Sequence, residues 1–353
     1  MARARDLDLE IGTMSPGPTN SVLDVAGVGL GHCTVRRDEP DPPEGRGVAR
    51  TGVTVLLVAD DAYSRPLPAG GAVLNGAGEC TGFLSAGEWG LVETPVYLTS
   101  TMQLGRVYDA ACEIALEEHP QVAEDVVIPV VAECDDSYLN DCRRMQVTGD
   151  DVRAAWQAAR DSRGSADPPA EGAVGAGTGM SCLGFKGGIG TASRRTGDGH
   201  TVAVLLLTNF GERDHLVVDG VPVGRQLPPA PGPETPAGSC IGVVVTDAPV
   251  DAAACSRLAR RVGLGLARTG SVAHHGSGEI FLGFGTGVRL DRDGAPDRAV
   301  GVAGRALDPL FAAVVECAEE AVLNSMVAAG PEVGRDGHVS QGLFLGPGWR
   351  DGH

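Results

Sequence analysis

The stretch that decides the fold is TPAGSCIGVVVTDAP, residues 235–249. It joins a loop rich in proline and glycine to a run of β-branched apolar residues, which is typical of a buried strand. At the junction, Gly238 precedes Ser239. A serine hydroxyl held beside the preceding peptide bond can attack it, because enforced proximity can supply ~7–11 kcal/mol of the barrier. The junction therefore predicts either an ordinary turn before a strand or a site of self-cleavage.

Strands and helices alternate on both sides of this stretch. Short β-branched runs predict strands at 51–59, 125–133, 201–211, 240–246 and 279–287. Apolar residues at helical spacing predict helices at about 103–119, from 148 onward, at 250–268 and at 308–329. This alternation predicts an α/β or α+β protein with layered sheets and helices. Residues 1–20 are polar and rich in glycine, proline and serine near their end, so they predict a flexible arm.

Composition and charge exclude several classes of protein. The chain has 353 residues and a formal net charge of −18, which argues against nucleic acid and anionic membrane as partners. No apolar run reaches the ~18 residues of a membrane span, and the first residues lack the apolar core of a secretory signal. Nine cysteines without a C-x-x-C pair indicate reduced thiols in a cytoplasmic protein.

Two further features invite a cofactor, and in both the spacing is wrong. The glycine-dense segment 171–194 resembles a dinucleotide loop, but Met180 stands where the third glycine is required. We expect this segment to serve close backbone packing, with Lys186 and Arg194 as structural cations. His274 and His275 are adjacent, so on a strand they point to opposite faces, and no third ligand has a recognisable spacing. The sequence therefore predicts no metal site.

Five polar residues could complete a hydrolytic site around Ser239. Asn209 ends a buried strand and could donate a side-chain N–H to an oxyanion. Ser277 and Glu279 are two apart, so they share one face of a strand and could pass a proton. Glu133 ends another strand, where its carboxylate could bind a substrate ammonium group, with Tyr138 as a hydrogen-bond donor. Without further context, a solvated acidic turn is a common explanation for Glu133 and Tyr138, and a turn serine with an exposed glutamate is the better explanation for Ser277 and Glu279.

Taken together, these pieces resemble one family, the DmpA-type aminopeptidases, which include L-aminopeptidase/D-esterases and β-peptidyl aminopeptidases. The resemblance extends from about residue 21 over nearly the whole chain, with the motifs in the family's order. It is carried above all by ECDDSYLND, GAVGAGTGMSCLGFKGGIGTASR, AGSCIGVVVTDAP and GSGEIFLGFGTG. In the light of this resemblance, self-cleavage replaces the ordinary turn as the preferred interpretation of the junction.

The resemblance implies a four-layer αββα sandwich, a fold shared with the ornithine acetyltransferases, formed by one catalytic domain over residues 21–353. It implies self-cleavage at Gly238–Ser239 into chains 1–238 and 239–353, and tetramers of these αβ units. It implies that neither a metal nor an organic cofactor takes part. The implied substrates are short peptides, amino-acid amides or esters.

The resemblance also assigns roles. Ser239 is the implied nucleophile and Asn209 the oxyanion donor, while Ser277 and Glu279 assist proton transfer. Tyr138 is implied to line the site. Glu133 matches the position that binds the free amine of the substrate. Two alternatives stay open: an acyltransferase of the ornithine acetyltransferase type, and a non-catalytic binding protein on the same fold.

Five positions depart from what is usual in the family. Ala237 stands where relatives often carry Glu, Cys240 replaces a larger aliphatic residue, and Ser100 replaces Asn. Gly283 and Gly285 replace Ala and Ser. We expect these differences to reshape the substrate pocket or to slow self-cleavage.

Overall fold

The computed structural model describes residues 2–227, 238–345 and 349. The strands are β1 Gly29–Asp38, β2 Val48–Leu57, β3 Leu67–Gly76, β4 Leu91–Val92, β5 Val96–Ser100, β6 Val130–Cys134, β7 Ser181–Cys182, β8 Phe185–Lys186, β9 Gly188–Arg195, β10 Thr201–Asn209, β11 Gly238–Thr246, β12 Ser277–Gly285, β13 Glu332–Val333 and β14 Val339–Ser340. The α-helices are α1 Phe83–Trp89, α2 Leu104–Glu118, α3 Gly149–Asp161, α4 Ala252–Thr269 and α5 Asp308–Val327.

Two sheets and two helical layers make up the sandwich. One sheet has the order β1-β2-β5-β6 and the other the order β4-β3-β12-β11-β10-β9. Apolar side chains from both sheets form one buried cluster between them. A second cluster joins the six-stranded sheet to α4 and α5, and a third joins the four-stranded sheet to α2 and α3. The layers thus run helix, sheet, sheet, helix, and the prediction of an αββα sandwich is confirmed.

Strand β11, which carries the stretch quoted first, lies inside the six-stranded sheet. It pairs antiparallel with β10 and parallel with β12, and every one of its residues is buried. Val243 and Val245 enter the cluster between the sheets, whereas Val244 enters the cluster under the helices. A strand buried on both faces is expected to read as a continuous apolar run, as this one does.

Helix α3 begins where the sequence predicts it. Thr148 is the N-cap, and its side chain and that of Asp151 form the reciprocal capping box. The box satisfies backbone N–H groups that have no partner within the helix.

Residues 2–20 differ from the expected flexible arm, because they pack against the rest of the protein. Ala4 and Leu9 are fully buried in the cluster that includes α5. Arg3 forms an ion pair with Glu171 at 2.6 Å, and Arg5 forms one with Glu320 at 2.9 Å. Polarity alone misled the prediction, since the charged side chains of this segment find partners on the folded core.

The glycine-dense segment 171–194 does serve backbone packing. A Cβ atom on Gly177 would lie 2.6 Å from the backbone oxygen of Gly172, so no larger residue fits there. The buried ammonium of Lys186 donates to the carbonyl oxygens of Gly177, Met180 and Gly187 at 2.6–3.0 Å. Burial lowers the pKa of Lys186 to about 7. The structural role expected for Lys186 is therefore confirmed.

Arg194 is the other structural cation of this segment. Its buried guanidinium bonds to Glu316 at 2.9 Å and to Glu320 at 2.5 Å, both on α5. It therefore ties β9 to the helical layer.

Among the described residues, no helix combines the length and the apolar character needed to cross a bilayer.

Candidate active site

The two sheets leave a cleft where β5 and β6 of one sheet and β11 of the other meet loop segments. Its volume is about 460 Å³, within the usual range of ~300–1,000 Å³ for small-molecule sites. It is lined by Ala77, Gly78, Thr101, Met102, Glu133, Asp135, Ser137, Cys142, Gly238, Ser239 and Gly276. The junction at Gly238–Ser239 and the carboxylate of Glu133 therefore share one cleft.

The hydroxyl of Ser239 points at the peptide group before it. Ser239 Oγ donates to the carbonyl oxygen of Gly238 at 2.6 Å, and it accepts the backbone N–H of Gly278 at 3.3 Å. The nucleophile proposed from the sequence is thus held against the carbonyl group that it would attack. The N–H of Gly278 points at the hydroxyl oxygen of Ser239 from the neighbouring strand.

Ser277 and Glu279 lie on the neighbouring strand, paired with Gly238 and Cys240 respectively. Ser277 Oγ donates a short hydrogen bond to Glu279 Oε1. A Cβ atom on Gly238 would lie only 2.8 Å from Ser277 Oγ, so the Ser277 hydroxyl borders the junction directly. Burial raises the pKa of Glu279, and the hydrogen bond from Ser277 opposes this rise. These two residues share a face as predicted.

Asn209 lies directly opposite Ser239 in the antiparallel pairing of β10 with β11. Its Oδ1 accepts the N–H of Ser181 at 2.9 Å, and its Nδ2 donates to the carbonyl of Asp135 at 2.7 Å. These two bonds fix which end of the amide carries the hydrogens. Nδ2 has two hydrogens, and among the described residues only Asp135 accepts from it, so the second hydrogen could serve an oxyanion formed beside Ser239.

Glu133 is held by two donors inside the cleft. The N–H of Glu79 donates to its Oε1 at 2.8 Å, and the Thr101 hydroxyl donates to its Oε2. Burial raises the pKa of Glu133, while both hydrogen bonds favour the ionised form. A buried carboxylate with fixed oxygens suits an ammonium group, which would complete its charge pairing.

Of the predicted site residues, Gly238, Ser239 and Glu133 line the cleft. Asn209, Ser277 and Glu279 lie beside the junction on the strands that flank β11, whereas Tyr138 lies away from it. Its hydroxyl donates to the carbonyl of Val339 at 3.4 Å, and its ring stacks on His338 with centroids 4.7 Å apart. Its neighbour Ser137 lines the cleft instead. The turn that contains Tyr138 therefore forms part of the cleft wall, with the tyrosine ring turned toward β14.

Most of the departures from the family pattern lie outside the cleft lining. A Cβ atom on Gly283 would lie 2.4 Å from the backbone oxygen of Cys255, and one on Gly285 would lie 2.8 Å from Val250. These glycines therefore allow β12 to pack closely on α4 and on the residues just before α4. The expectation that they reshape the substrate pocket was wrong. Cys240 is buried in the cluster under the helices.

Ser100 and Ala237 are the remaining departures. Ser100 donates to Asp136 at 2.8 Å, directly beneath the turn that carries Asp135. Burial raises the pKa of Asp136 to about 6. Ser100 therefore supports the floor of the cleft, while Ala237 lies outside the described residues.

Four groups in the site were not predicted from the sequence. Thr101 and the N–H of Glu79 hold Glu133, the N–H of Gly278 contacts Ser239, and the N–H of Ser181 orients Asn209. Three of the four are backbone groups, which no residue pattern reveals. Thr101 had one available signal, its position immediately after a buried strand.

The comparisons with known proteins agree with this geometry. The family model described as Peptidase family S58 matches residues 20–340. The beta-peptidyl aminopeptidase BapA of Sphingosinicella microcystinivorans is 37% identical over 363 residues, covering 97% of this chain and 89% of the relative.

Two solved structures are similar over nearly their whole length. A beta-aminopeptidase from Burkholderia sp. has a TM-score of 0.87 and 39% identity, covering 97% of this chain and 96% of the other. The L-aminopeptidase D-Ala-esterase/amidase from Ochrobactrum anthropi, described as a prototype for the serine aminopeptidases and a variant of the Ntn hydrolase fold, has a TM-score of 0.88 and 36% identity, covering 98% and 96%. The sequence motifs, the αββα sandwich, the family model, the curated relative and the solved structures lead to one conclusion: this chain is a member of peptidase family S58.

Proposed function

We propose that the protein is a serine aminopeptidase that removes N-terminal residues from short peptides, amino-acid amides or esters after cutting its own chain at Gly238–Ser239. The observation that carries this proposal is the position of Ser239 Oγ, 2.6 Å from the carbonyl oxygen of Gly238 and in one cleft with Glu133. The relatives named as aminopeptidases support the same reaction class.

Self-cleavage begins with attack of Ser239 Oγ on the carbonyl carbon of Gly238. The C–N bond breaks as the acyl group moves to oxygen, the nitrogen takes up a proton, and water then hydrolyses the ester. The products are a carboxylate at Gly238 and a free α-amine at Ser239. Such an amine has an unperturbed pKa of ~7.7–8.0, so it can act as a base near neutral pH.

Substrate hydrolysis repeats this chemistry on a second carbonyl group. Ser239 Oγ attacks the substrate carbonyl, and its proton passes to the new α-amine with the Ser277–Glu279 pair as the neighbouring relay. Asn209 Nδ2 donates to the oxyanion, a contribution worth ~2.7–4 kcal/mol where such a donor has been removed. The leaving amine departs with a proton, and water releases the acyl-enzyme.

Recognition of the free N-terminus falls to Glu133. Its two oxygens are fixed by Thr101 and by the N–H of Glu79, so the carboxylate meets an ammonium group without reorganising. A substrate whose amine is acylated would leave this buried carboxylate unpaired, at a cost that disfavours its binding. The enzyme is therefore restricted to unblocked N-termini. Tyr138 contributes by shaping the turn beside this wall.

We propose further that residues 21–353 form one catalytic domain, cut into chains 1–238 and 239–353. The nine cysteines are all free, which supports a reducing compartment such as the cytoplasm. Exposed apolar side chains, including Leu84 at 85% and Trp89 at 60%, support assembly of the αβ units into a homo-oligomer, proposed as a tetramer. Sedimentation of the purified protein measures its mass.

One experiment tests the core of the proposal. The purified protein is incubated, separated on a denaturing gel and sequenced from the N-terminus of each band. Two bands are expected, the smaller beginning at Ser239, together with release of amino acid from aminoacyl p-nitroanilides. A single uncut band without turnover on α- and β-aminoacyl substrates would contradict the proposal. Transfer of the acyl group to an amine in preference to water would instead favour the acyltransferase alternative.

A further inference from the structure

Two histidines and a glutamate that lie far apart in the sequence meet outside the cleft lining. Glu212 and His215 follow β10, whereas His274 precedes β12. The candidate ligand atoms of all three lie within 4.8 Å of one another. From the sequence, His274 has only the adjacent His275 as a partner at a recognisable spacing, whereas the fold brings it to Glu212 and His215 from a distant loop.

The spacing of these atoms fits a small tetrahedral cation. A zinc ion with ligands at ~2.0–2.1 Å separates neighbouring ligand atoms by roughly 3.3–3.4 Å. His274 Nε2 lies 3.3 Å from Glu212 Oε1. The rings of His215 and His274 are stacked, with centroids 5.9 Å apart and planes at 15°. The distance between His274 Nε2 and Glu212 Oε1 therefore already matches that in a tetrahedral zinc site. The distances from these two atoms to the ligand nitrogen of His215 would have to shorten by at most about 1.5 Å.

The backbone holds two of the ligands in place. The carbonyl of His274 accepts from Ser277 N–H at 2.8 Å and from Asn75 Nδ2 at 3.0 Å. The backbone of His215 packs against Gly270 at the end of α4, where a Cβ atom would lie 1.9 Å from the His215 oxygen. A site built on fixed backbone loses less conformational entropy when it binds its ion.

An ion pair between Glu212 and His274 would account for part of this arrangement, but not for His215. The Nδ1 atom of His215 is buried and has no hydrogen-bond partner in the described part of the chain. Two imidazoles and one carboxylate are one of the known donor sets of three-ligand zinc sites, whose fourth position is left to water.

We propose that Glu212, His215 and His274 form a binding site for a divalent transition-metal ion, with Zn²⁺ the best match to the donor set. Binding displaces a proton from each ligating imidazole nitrogen that carries one, and each ring keeps the N–H on its other nitrogen. The contact between His274 Nε2 and Glu212 Oε1 is then replaced by a bond from each of these atoms to the ion. Glu212 and His215 precede the proposed cleavage point and His274 follows it. Given that cleavage, the ion links the two product chains and holds the segment that leads into Ser277.

The test uses the uncleavable Ser239→Ala protein, free of any affinity tag, so that metal binding is measured without reference to turnover. Titration with Zn²⁺ alone is expected to show one saturable site. Single variants Glu212→Gln, His215→Asn and His274→Asn should each weaken binding by at least ~10-fold, since even outer-shell partners of metal ligands are worth ~10–100-fold. His275→Asn is the matched control, because it removes the adjacent exposed histidine, and it should bind as the parent does.

A second measurement separates this site from the cysteines. Co²⁺ in a tetrahedral nitrogen and oxygen site gives visible absorption without the near-ultraviolet band of a thiolate ligand. Absence of a saturable site, a thiolate band, or equal binding by the three ligand variants would overturn the proposal. Far-ultraviolet circular dichroism of each variant establishes that lost binding is not lost folding. Failure here would leave the aminopeptidase proposal unaffected, because cleavage at Ser239 is read on a denaturing gel of the unmutated protein and metal binding is read by titration of the Ser239→Ala protein.

Discussion

The two walls of the cleft carry the same pair of groups in different surroundings. On the four-stranded sheet the Thr101 hydroxyl donates to Glu133, and on the six-stranded sheet the Ser277 hydroxyl donates to Glu279. Both carboxylates have a raised pKa because they are buried. Glu133 has a donor on each oxygen, whereas Glu279 Oε2 has no partner in the described chain.

This difference separates recognition from chemistry. A carboxylate whose two oxygens both accept hydrogen bonds is held in place, and those bonds favour its ionised form, which suits the binding of a cation. A carboxylate with one unsatisfied oxygen, bonded to a hydroxyl beside the cleavage junction, is suited to accepting and returning a proton. We therefore expect changes on the six-stranded wall to lower kcat and changes on the four-stranded wall to raise KM.

Removing the nucleophile tests the six-stranded wall most severely. Ser239→Ala should leave the chain uncut and reduce turnover by at least ~10³-fold, because no other group can form the acyl-enzyme. A denaturing gel and a p-nitroanilide assay measure both effects. Ser239→Cys, which keeps a nucleophile at the same place, should recover cleavage. A processed Ser239→Ala protein would assign the cut to another protease.

The oxyanion donor should have the next largest effect. Asn209→Ala is expected to lower kcat by ~10²–10³-fold with little change in KM, since the lost hydrogen bond forms fully only in the transition state. Steady-state kinetics on the processed fraction separate the two constants. An increase confined to KM would place Asn209 among the binding residues and break the division between the walls.

Glu133→Gln should affect the four-stranded wall alone. Loss of a charge-assisted hydrogen bond worth ~1.5–3 kcal/mol should lower kcat/KM by roughly 10–100-fold, mainly through KM. The extent of self-cleavage should be unchanged. Glu79→Gln is the control, because Glu79 contacts Glu133 through its backbone N–H, which that substitution keeps. Equal losses in both variants would mean that the effect is general charge and not amine binding.

The pH dependence should follow from the same carboxylate. Only ionised Glu133 attracts the substrate ammonium, so kcat/KM should fall as pH decreases through its pKa. Burial places that pKa above the ordinary glutamate value of ~4.3. The acidic limb of kcat/KM should therefore lie above the range of an exposed glutamate. It should change in Glu133→Gln, and an identical limb in that variant would assign it to Glu279 or to another group.

The smallest expected effect on activity concerns β12. Gly283→Ala should leave KM unchanged but destabilise the fold by about 1–3 kcal/mol, since the new methyl group meets the backbone oxygen of Cys255. Gly87→Ala in α1 is the control, because its Cβ would meet nothing within 4 Å. Thermal unfolding should show a lower Tm only for Gly283→Ala. A changed KM would return this position to the substrate pocket.

The sequence revealed those parts of the site that depend on local pattern. β11 has a continuous apolar run, and the spacing of Ser277 and Glu279 places them on one face in any register. The sequence did not predict β3, because Gly70 and Gly71 interrupt the apolar, β-branched pattern that indicates a strand. Both are required by tertiary packing, since a Cβ atom on Gly70 would lie 2.1 Å from Ser256 and one on Gly71 2.3 Å from Phe83.

The groups around Glu133 and His274 depend on contacts between distant segments. Thr101 lies on another strand end from Glu133, and His215 reaches His274 across the end of α4. No spacing along the chain predicts such contacts, because they depend on how distant segments pack in the folded protein. The family resemblance predicted the role of Glu133 but not the residues that hold it. It predicted nothing about the contacts of His274.

The strand order of the larger sheet gives the proposed cut a lasting consequence. β12 and all of β11 except Gly238 belong to the later product chain, yet they lie between β3 and β10 of the earlier one. Two product chains woven in this way stay together through hydrogen bonds on both sides of the insertion. Once unfolded, they must find each other by diffusion, so a dilute mature enzyme is expected to lose its activity irreversibly while the uncut Ser239→Ala chain refolds. The working lifetime of the mature enzyme would then depend on its rate of unfolding, and not on an equilibrium between folded and unfolded states.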